Sequence, residues 1–232
     1  YVDGGRTYEW WKGEGSLIDY NNPQGLAWWH GMMDNVLDLG IDGWKTDGSE
    51  IQVYLWLGVE TYTGHISPKE YQNQYYRDFF NYTRERLGND RVITARPVDS
   101  YAVPFWGPSF APRDVNFAGW VGDQDPTWFG LNAALINMYF SGERGYVNFG
   151  SDIGGYRGDE LREKELFVRW AQLGALSPIM ENGGAGEHRP WMYDEEVLTI
   201  YRNFVKLHHA LLPYLYSQGA RYYDAGLSVY RP

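Results

Sequence analysis

Residues 41–47 read Ile41-Asp42-Gly43-Trp44-Lys45-Thr46-Asp47, a short apolar run that ends in a carboxylate. Short runs of this kind are typical of buried strands bounded by polar residues. The segment before it, Pro23 to Leu39, has helical periodicity, starts with a proline after Asn22 and stops at Gly40, as helices commonly do. A helix that leads into a buried strand indicates an α/β protein.

The alternation of short strands and longer helices continues along the chain and predicts parallel βαβ units. In four of the five predicted strands a charged residue lies at or near the carboxyl end, namely Asp47, Arg96, Asp123 and Asp152. The predicted strands are 41–47, 91–96, 117–123, 146–152 and 227–232, and the predicted helices are 23–39, 68–87, 127–140, 161–173 and 195–216.

Charged residues at strand ends favour a (β/α)8 TIM-type barrel, whose active sites lie at the carboxyl ends of its strands. A doubly wound sheet usually has a glycine-rich phosphate loop, and no GxGxxG or GxxxxGK[ST] motif follows a strand here. Only five or six strands are visible, and no linker divides the chain. We therefore expect residues 1–232 to be a single domain, a catalytic barrel segment that is truncated at its N-terminal side and lacks its first strands.

The composition describes a folded, acidic and aromatic-rich protein. Hydrophobic residues make up 44% of the 232 residues, and the formal net charge is −10, which argues against a nucleic-acid or anionic-membrane partner. Phe, Trp and Tyr together reach 18%. Such rings suit oligosaccharide or glycoside ligands, but a large aromatic core is an equally good explanation.

Cysteine is absent from the sequence, so disulfides and thiolate catalysis are excluded. This absence is compatible with the bacterial cytoplasm or periplasm. No stretch approaches the roughly 18 apolar residues that a membrane-spanning helix requires. The sequence alone does not assign an oligomeric state.

The strand-end aspartates offer the chemistry of glycosidic bond cleavage. Hydrolysis of a glycosidic bond uses two carboxyl groups, one acting at the anomeric carbon and one protonated to donate to the leaving oxygen. Asp47 and Asp123 lie on the same predicted rim and can converge on one sugar. The alternative is that strand-end aspartates cap the following helices. Three such aspartates, each beside glycine and aromatic residues, favour the site.

Taken in order, these segments resemble glycoside hydrolase family 31, which contains α-glucosidases, α-xylosidases and their relatives. Gly43-Trp44-Lys45-Thr46-Asp47 resembles the strand that carries the nucleophile, and Trp120-Val121-Gly122-Asp123 resembles the segment that carries the acid/base. Gly150-Ser151-Asp152-Ile153-Gly154-Gly155-Tyr156 is similar to the Asp-Ile-Gly-Gly-aromatic segment. Further similar segments are 19–23, 94–96, 169–175 and 212–216.

The resemblance implies a retaining exo-α-glycosidase that hydrolyses terminal α-linked sugars through a covalent glycosyl-enzyme. Asp47 would be the nucleophile and Asp123 the acid/base. No metal or organic cofactor is implied. The same motifs leave open a family-31 α-transglycosylase and a non-catalytic glycan-binding relative.

The resemblance also implies a set of substrate-binding side chains. Its charged members would bind sugar hydroxyls, because charge-assisted hydrogen bonds are strong, and its two tryptophans would wall the pocket. For Trp44 a core position is almost as good an interpretation, and Arg96 would also serve to hold Asp123 or Asp47 ionised. The implied residues are Trp44, Lys45, Arg96, Trp120 and Asp152.

One segment departs from the family pattern. The family usually places a sugar-binding histidine where this sequence has Gly183. We expect one of two outcomes. Either His188 takes over that contact, or the open space admits a bulkier sugar substituent. For His188 the alternative is a surface position. The departure favours a glycan other than plain maltose-type glucosides.

Overall fold

The computed structural model describes residues 1–10, 13–47, 57–98 and 110–231. The chain forms two compact units, Tyr1–Thr94 and Ala95–Pro232. Their boundary lies within one strand, whose first three residues belong to the first unit and whose last residue, Ala95, belongs to the second.

The first unit combines two hairpins with a helix-and-sheet segment. Strands β1 and β2 are antiparallel and pair Thr7 with Ser16, and β4 and β5 are antiparallel and pair Val59 with Ile66. Strand β6 is the neighbour of β3. The elements are β1 (Thr7–Trp10), β2 (Gly13–Ser16), α1 (Pro23–Leu37), β3 (Gly43–Thr46), β4 (Val59–Thr61), β5 (Gly64–Ile66), α2 (Pro68–Leu87) and β6 (Val92–Ala95).

Within its described residues, the second unit contains two parallel strands and three α-helices. Gly119 of β7 pairs with Phe149 of β8, and Trp120 pairs with Gly150. Both strands therefore end at the same edge, immediately before the loops that carry Asp123 and Asp152. The elements are β7 (Asn116–Trp120), α3 (Trp128–Glu143), β8 (Phe149–Gly150), α4 (Lys164–Ala175) and α5 (Glu195–Ala225).

Helix starts are determined by local capping. The side chain of Asn22 accepts from the backbone N–H groups of Gln24 and Gly25 at 3.0 and 3.1 Å, which satisfies two of the donors that a helix start leaves open. Ser67, Thr127 and Asp194 cap α2, α3 and α5 in the same way. All five predicted helices are present; their ends shift by at most three residues, except that α5 continues nine residues beyond its predicted end.

The predicted strands are present except for the last. The predicted run 146–152 shortens to two strand residues, and the described residues 227–231 form no strand. Instead, the Tyr230 ring stacks on Phe149 with the ring centroids 4.8 Å apart. This segment therefore packs a side chain against the sheet rather than extending it.

Aromatic side chains fill the interior of each unit. Trp120, Trp170, Phe149 and Phe167 are fully buried in the second unit, and Tyr76 is fully buried in the first. Part of the high aromatic content therefore belongs to the core. Within the described ranges, no helix combines the length and apolarity that crossing a membrane requires.

Candidate active site

A salt bridge lies at the carboxyl end of β7. Arg96 Nη2 is 3.0 Å from Asp123 Oδ2, and the side chains are 2% and 21% exposed. The Arg96 guanidinium also lies 5.5 Å from the ring centroid of the buried Trp120, a cation–π distance. The Asp123 carboxylate is thus held in place while part of its side chain remains open to solvent. This arrangement matches the second role predicted for Arg96, that of an ionic partner.

Trp120 was predicted to wall a sugar pocket, and the structure places it elsewhere. Its side chain is 1% exposed and lies beneath the Arg96 guanidinium. A ring in this position supports the arginine from the core. The prediction that Trp120 forms an open wall is therefore not met.

The loops that follow β7 and β8 contact each other through their backbones. Arg157 Nε donates to the carbonyl oxygen of Asp123 at 3.0 Å. The N–H groups of Tyr156 and Arg157 donate to the carbonyl oxygen of Gln124 at 2.9 and 3.2 Å. The loop with Asp123 and the loop with Asp152 therefore act as one assembly.

Gly155 makes the close approach of the two loops possible. Its φ is +84°, and a Cβ added there would lie 2.8 Å from the Asp125 carbonyl oxygen and from Pro126. Residues with a side chain rarely adopt a φ in this range, and the neighbouring atoms belong to the backbone and cannot move aside easily. Position 155 therefore requires glycine.

We expect Gly155→Ala to destabilise the protein by about 1–3 kcal/mol, because it combines backbone strain with a clash. The measurement is thermal unfolding. Gly183→Ala is the matched control for stability, since a Cβ at Gly183 meets nothing within 4 Å. Equal effects of the two substitutions would contradict the tight contact.

Asp152 is fixed at the end of β8. Its side chain is 1% exposed, and the N–H of the next residue, Ile153, donates to the Glu181 carbonyl oxygen at 3.1 Å. On the other side, the buried indole N–H of Trp170 donates to Ser151 Oγ at 2.9 Å. The backbone that carries Asp152 is thus anchored from two directions.

His188 does not make the predicted sugar contact. It is 7% exposed, with Nδ1 3.0 Å from the Ile153 carbonyl oxygen and Nε2 3.1 Å from Arg162 Nη2. A carbonyl only accepts and a guanidinium only donates, so Nδ1 carries the proton and Nε2 accepts. Burial lowers the pKa of His188, which favours this neutral form. Both ring nitrogens hydrogen-bond to the protein, which does not fit the predicted contact with a sugar. The low exposure of His188 does not fit the alternative of a surface position.

In the first unit, Lys45 and Asp47 share the exposed side of β3. Both residues are exposed, whereas Thr46 between them is buried and donates its hydroxyl to the Thr94 carbonyl oxygen at 3.0 Å. Successive side chains of a strand point to opposite faces, so Lys45 and Asp47 lie on one face. The Asp47 carbonyl oxygen accepts from the Tyr75 hydroxyl at 2.6 Å, which ties the strand end to α2.

Trp44 lies on the opposite face from the predicted nucleophile. Its indole N–H donates to Thr83 Oγ1 at 2.9 Å, and its ring makes an edge-to-face contact with Phe79, with the centroids 5.3 Å apart. Both partners belong to α2. These contacts favour the core position for the half-buried Trp44, and its role as a wall of the sugar pocket stays a prediction.

Sequence reasoning missed the arginines that support the site. Arg157 holds the Asp123 loop, and Arg162 is buried next to His188. Both occur in a glycine-rich, charged stretch, which is typical of a solvated loop. The sequence contains no signal that distinguishes them from surface arginines.

A family model matches most of the chain. Residues 1–218 match the model described as Glycosyl hydrolases family 31 TIM-barrel domain. The chain is 28% identical over 231 residues to the Alpha-xylosidase of Emericella nidulans, an alignment that covers 98% of this chain and 28% of that protein. It is 27% identical to the Isomaltosyltransferase of Sporosarcina globispora, covering 95% of this chain and 20% of that protein.

A solved structure has the same fold. A Listeria monocytogenes protein, crystallised with α-D-glucose, β-D-glucose, magnesium and calcium, superposes with a TM-score of 0.80 over 99% of this chain and 22% of its own, at 24% identity. The chain spans less than a third of the length of these relatives.

Proposed function

The chain belongs to glycoside hydrolase family 31, and on this premise we propose that it carries the catalytic residues of a retaining exo-α-glycosidase. The observation that carries the proposal is the Arg96–Asp123 salt bridge at the end of β7, in a loop assembly that also contains Asp152. This is the position at which barrel enzymes place catalytic groups. We further propose that residues 1–232 are one barrel segment of that enzyme.

The proposed reaction proceeds by double displacement. An Asp47 oxygen attacks the anomeric carbon, and the bond to the leaving oxygen breaks as that oxygen takes the proton of Asp123. A water molecule then attacks the anomeric carbon of the glycosyl-enzyme and gives its proton to Asp123, and Asp47 leaves. Two inversions retain the configuration. Since Arg96 engages Oδ2 of Asp123, Oδ1 is the oxygen proposed to carry the transferred proton.

Three charged side chains are proposed to bind the sugar hydroxyls. Lys45 shares its strand face with Asp47 and is exposed. Arg96 and Asp152 are almost fully buried, and we propose that they form the floor of the pocket. A charged group shielded from water makes strong hydrogen bonds to hydroxyls there.

The test of this function uses the full-length protein and an aryl α-glycoside. Hydrolysis is followed by NMR at early times, which reports the configuration of the released sugar, and mass spectrometry detects the glycosyl-enzyme after acid quenching. We expect the α-anomer to appear first and the adduct to map to Asp47. First release of the β-anomer would disprove the retaining mechanism, and binding without turnover would identify a non-catalytic glycan-binding protein.

Transfer to a sugar acceptor is the second candidate, favoured by the similarity to an isomaltosyltransferase. In that reaction a sugar hydroxyl replaces water in the second step, with Asp123 again accepting the proton. Product analysis over a series of acceptor concentrations separates the two functions. Hydrolysis gives free sugar at every concentration, whereas a transferase gives predominantly oligosaccharide.

Gly183 is the position from which we predict the substrate preference. A Cβ added there meets nothing within 4 Å, and His188 is committed elsewhere, so the space is open to substrate. We expect Gly183→His to fold normally and to raise kcat/KM for α-glucosides about 10-fold relative to substituted glycosides, as one new hydrogen bond would. The measurement is the ratio of the two kcat/KM values. An unchanged ratio would show that Gly183 has no influence on specificity.

A further inference from the structure

Arg162 binds the backbone of one loop from the inside. Arg162 is 3% exposed, and its Nη2 lies 3.1–3.2 Å from the carbonyl oxygens of Gly155, Tyr156 and Gly158, which share the two Nη2 hydrogens with His188 Nε2. Nη1 donates to the Glu160 carbonyl oxygen at 3.1 Å. Within the part of the chain that the structure describes, carbonyl oxygens rather than carboxylates surround this cation, and burial lowers the pKa of Arg162. A buried charge placed in this way fixes the path of the loop.

His188 connects this arginine to the residue after Asp152. Its Nε2 accepts from Arg162, and its Nδ1 donates to the carbonyl oxygen of Ile153. The His188 carbonyl in turn accepts from Asn182 Nδ2 at 3.0 Å. The imidazole therefore bridges the Arg162 guanidinium and the carbonyl oxygen of Ile153, the residue after Asp152.

Small residues make room for this arrangement. A Cβ on Gly184 would collide with the His188 ring, and one on Gly186 would lie 2.6–2.8 Å from Gly158, Glu160 and Arg162 atoms. The Tyr193 hydroxyl donates to the Arg162 carbonyl oxygen at 3.0 Å. The pair is thus enclosed by backbone and has little freedom to move.

We propose that Arg162 and His188 are positioning residues that set the placement of Asp152 and, through the loop contact at Gly155 and Arg157, of Asp123. The proposal rests on the proposed function. Neither residue needs to touch substrate, since each acts on the backbone that carries a catalytic or binding carboxylate. A displacement of about 1 Å at such a group costs as much as 100-fold in rate.

The conservative variants separate the two hydrogen bonds of the histidine. In His188→Gln, the side-chain oxygen can still accept from Arg162. In His188→Asn, the amide can still donate toward Ile153, and His188→Ala loses both. Arg162→Lys keeps the charge but lacks the planar set of donors that binds several carbonyls at once. His209→Ala is the control, because it makes the same change at an exposed position of α5.

In the full-length enzyme we expect His188→Ala to lower kcat/KM about 10- to 100-fold and His209→Ala to leave it unchanged, with partial rescue by His188→Gln. The distinguishing readout is a double-mutant cycle with Asp152→Ala. If His188 acts through Asp152, its penalty should shrink to a few-fold once Asp152 is removed. Additive effects, or an unchanged kcat/KM in His188→Ala, would overturn the proposal.

Hydrogen exchange tests the same inference independently of activity. We expect His188→Ala and Arg162→Lys to raise amide exchange at 153–157 and 123–125, while helix α5 keeps wild-type protection. Unchanged exchange in those two loops would overturn the positioning role. An inactive wild type would instead refute the proposed function, and the exchange data would still decide the question of positioning.

Discussion

Asp47→Ala in the full-length protein should lower kcat by at least about 10⁴-fold while the protein remains folded. The loss follows from removal of the group that forms the covalent intermediate. The stability should survive because Asp47 is exposed and the hydrogen bond from Tyr75 goes to its backbone carbonyl, which alanine retains. Asp42→Ala is the matched control, as it removes another exposed carboxylate of the same segment.

Added azide gives the decisive measurement for this variant. A small external nucleophile fits the space that the carboxylate leaves and attacks the anomeric carbon once, so it should restore turnover of an activated substrate and give a glycosyl azide of inverted configuration. Residual activity above one percent without azide would show that Asp47 is not the nucleophile.

Asp123→Asn should lower kcat/KM about 10²- to 10⁴-fold for aryl glycosides with poor leaving groups and much less for activated ones, which need little protonation. Asparagine is the appropriate change because its carbonyl oxygen can still accept from Arg96. Asp123→Ala would leave that buried guanidinium without its partner and would cost a few kcal/mol, up to about 3–5 for a fully buried pair.

A series of aryl leaving groups of increasing pKa gives the measurement. In Asp123→Asn the logarithm of kcat/KM should fall steeply with leaving-group pKa, whereas in wild type it should depend on it weakly. Asp125→Asn, an exposed aspartate of the same loop, serves as control. Equal losses on activated and unactivated substrates would show that Asp123 is not the acid.

The helices could be predicted because their signals are local. The capping residues Asn22, Ser67, Thr127 and Asp194 all lie immediately before a helix. The sequence pattern predicts that α5 ends at Tyr216, which is too early. The structure continues through Pro213 to Gly226, whose φ of +68° ends the helix.

The hairpins and the supporting contacts could not be predicted from pattern. Strand β2 has the sequence Gly13-Glu14-Gly15-Ser16, which shows no apolar alternation, and it forms a strand by pairing with β1. The partners of His188 lie far apart in sequence and meet only in the folded loops. The face of β3 on which Trp44 lies was predictable in principle. Trp44 is one residue from Lys45 and three from Asp47, and residues at odd spacing in a strand lie on opposite faces.

Arg162 binds the loop through hydrogen bonds to main-chain carbonyl oxygens, and every residue type supplies such an oxygen. The side chains of Asp159 and Glu160 are exposed, and the effect of the Asp159 carboxylate on the pKa of Arg162 is a coulombic attraction, not a hydrogen bond. The loop can therefore be mutagenised at these two positions without loss of its backbone path. A combinatorial library at positions 159 and 160 would vary the side chains displayed two and three residues after Arg157. Arg157 itself donates to the backbone of the Asp123 loop. Evolution has the same freedom, so relatives with this arginine can diverge in sequence at these positions while they keep one backbone shape.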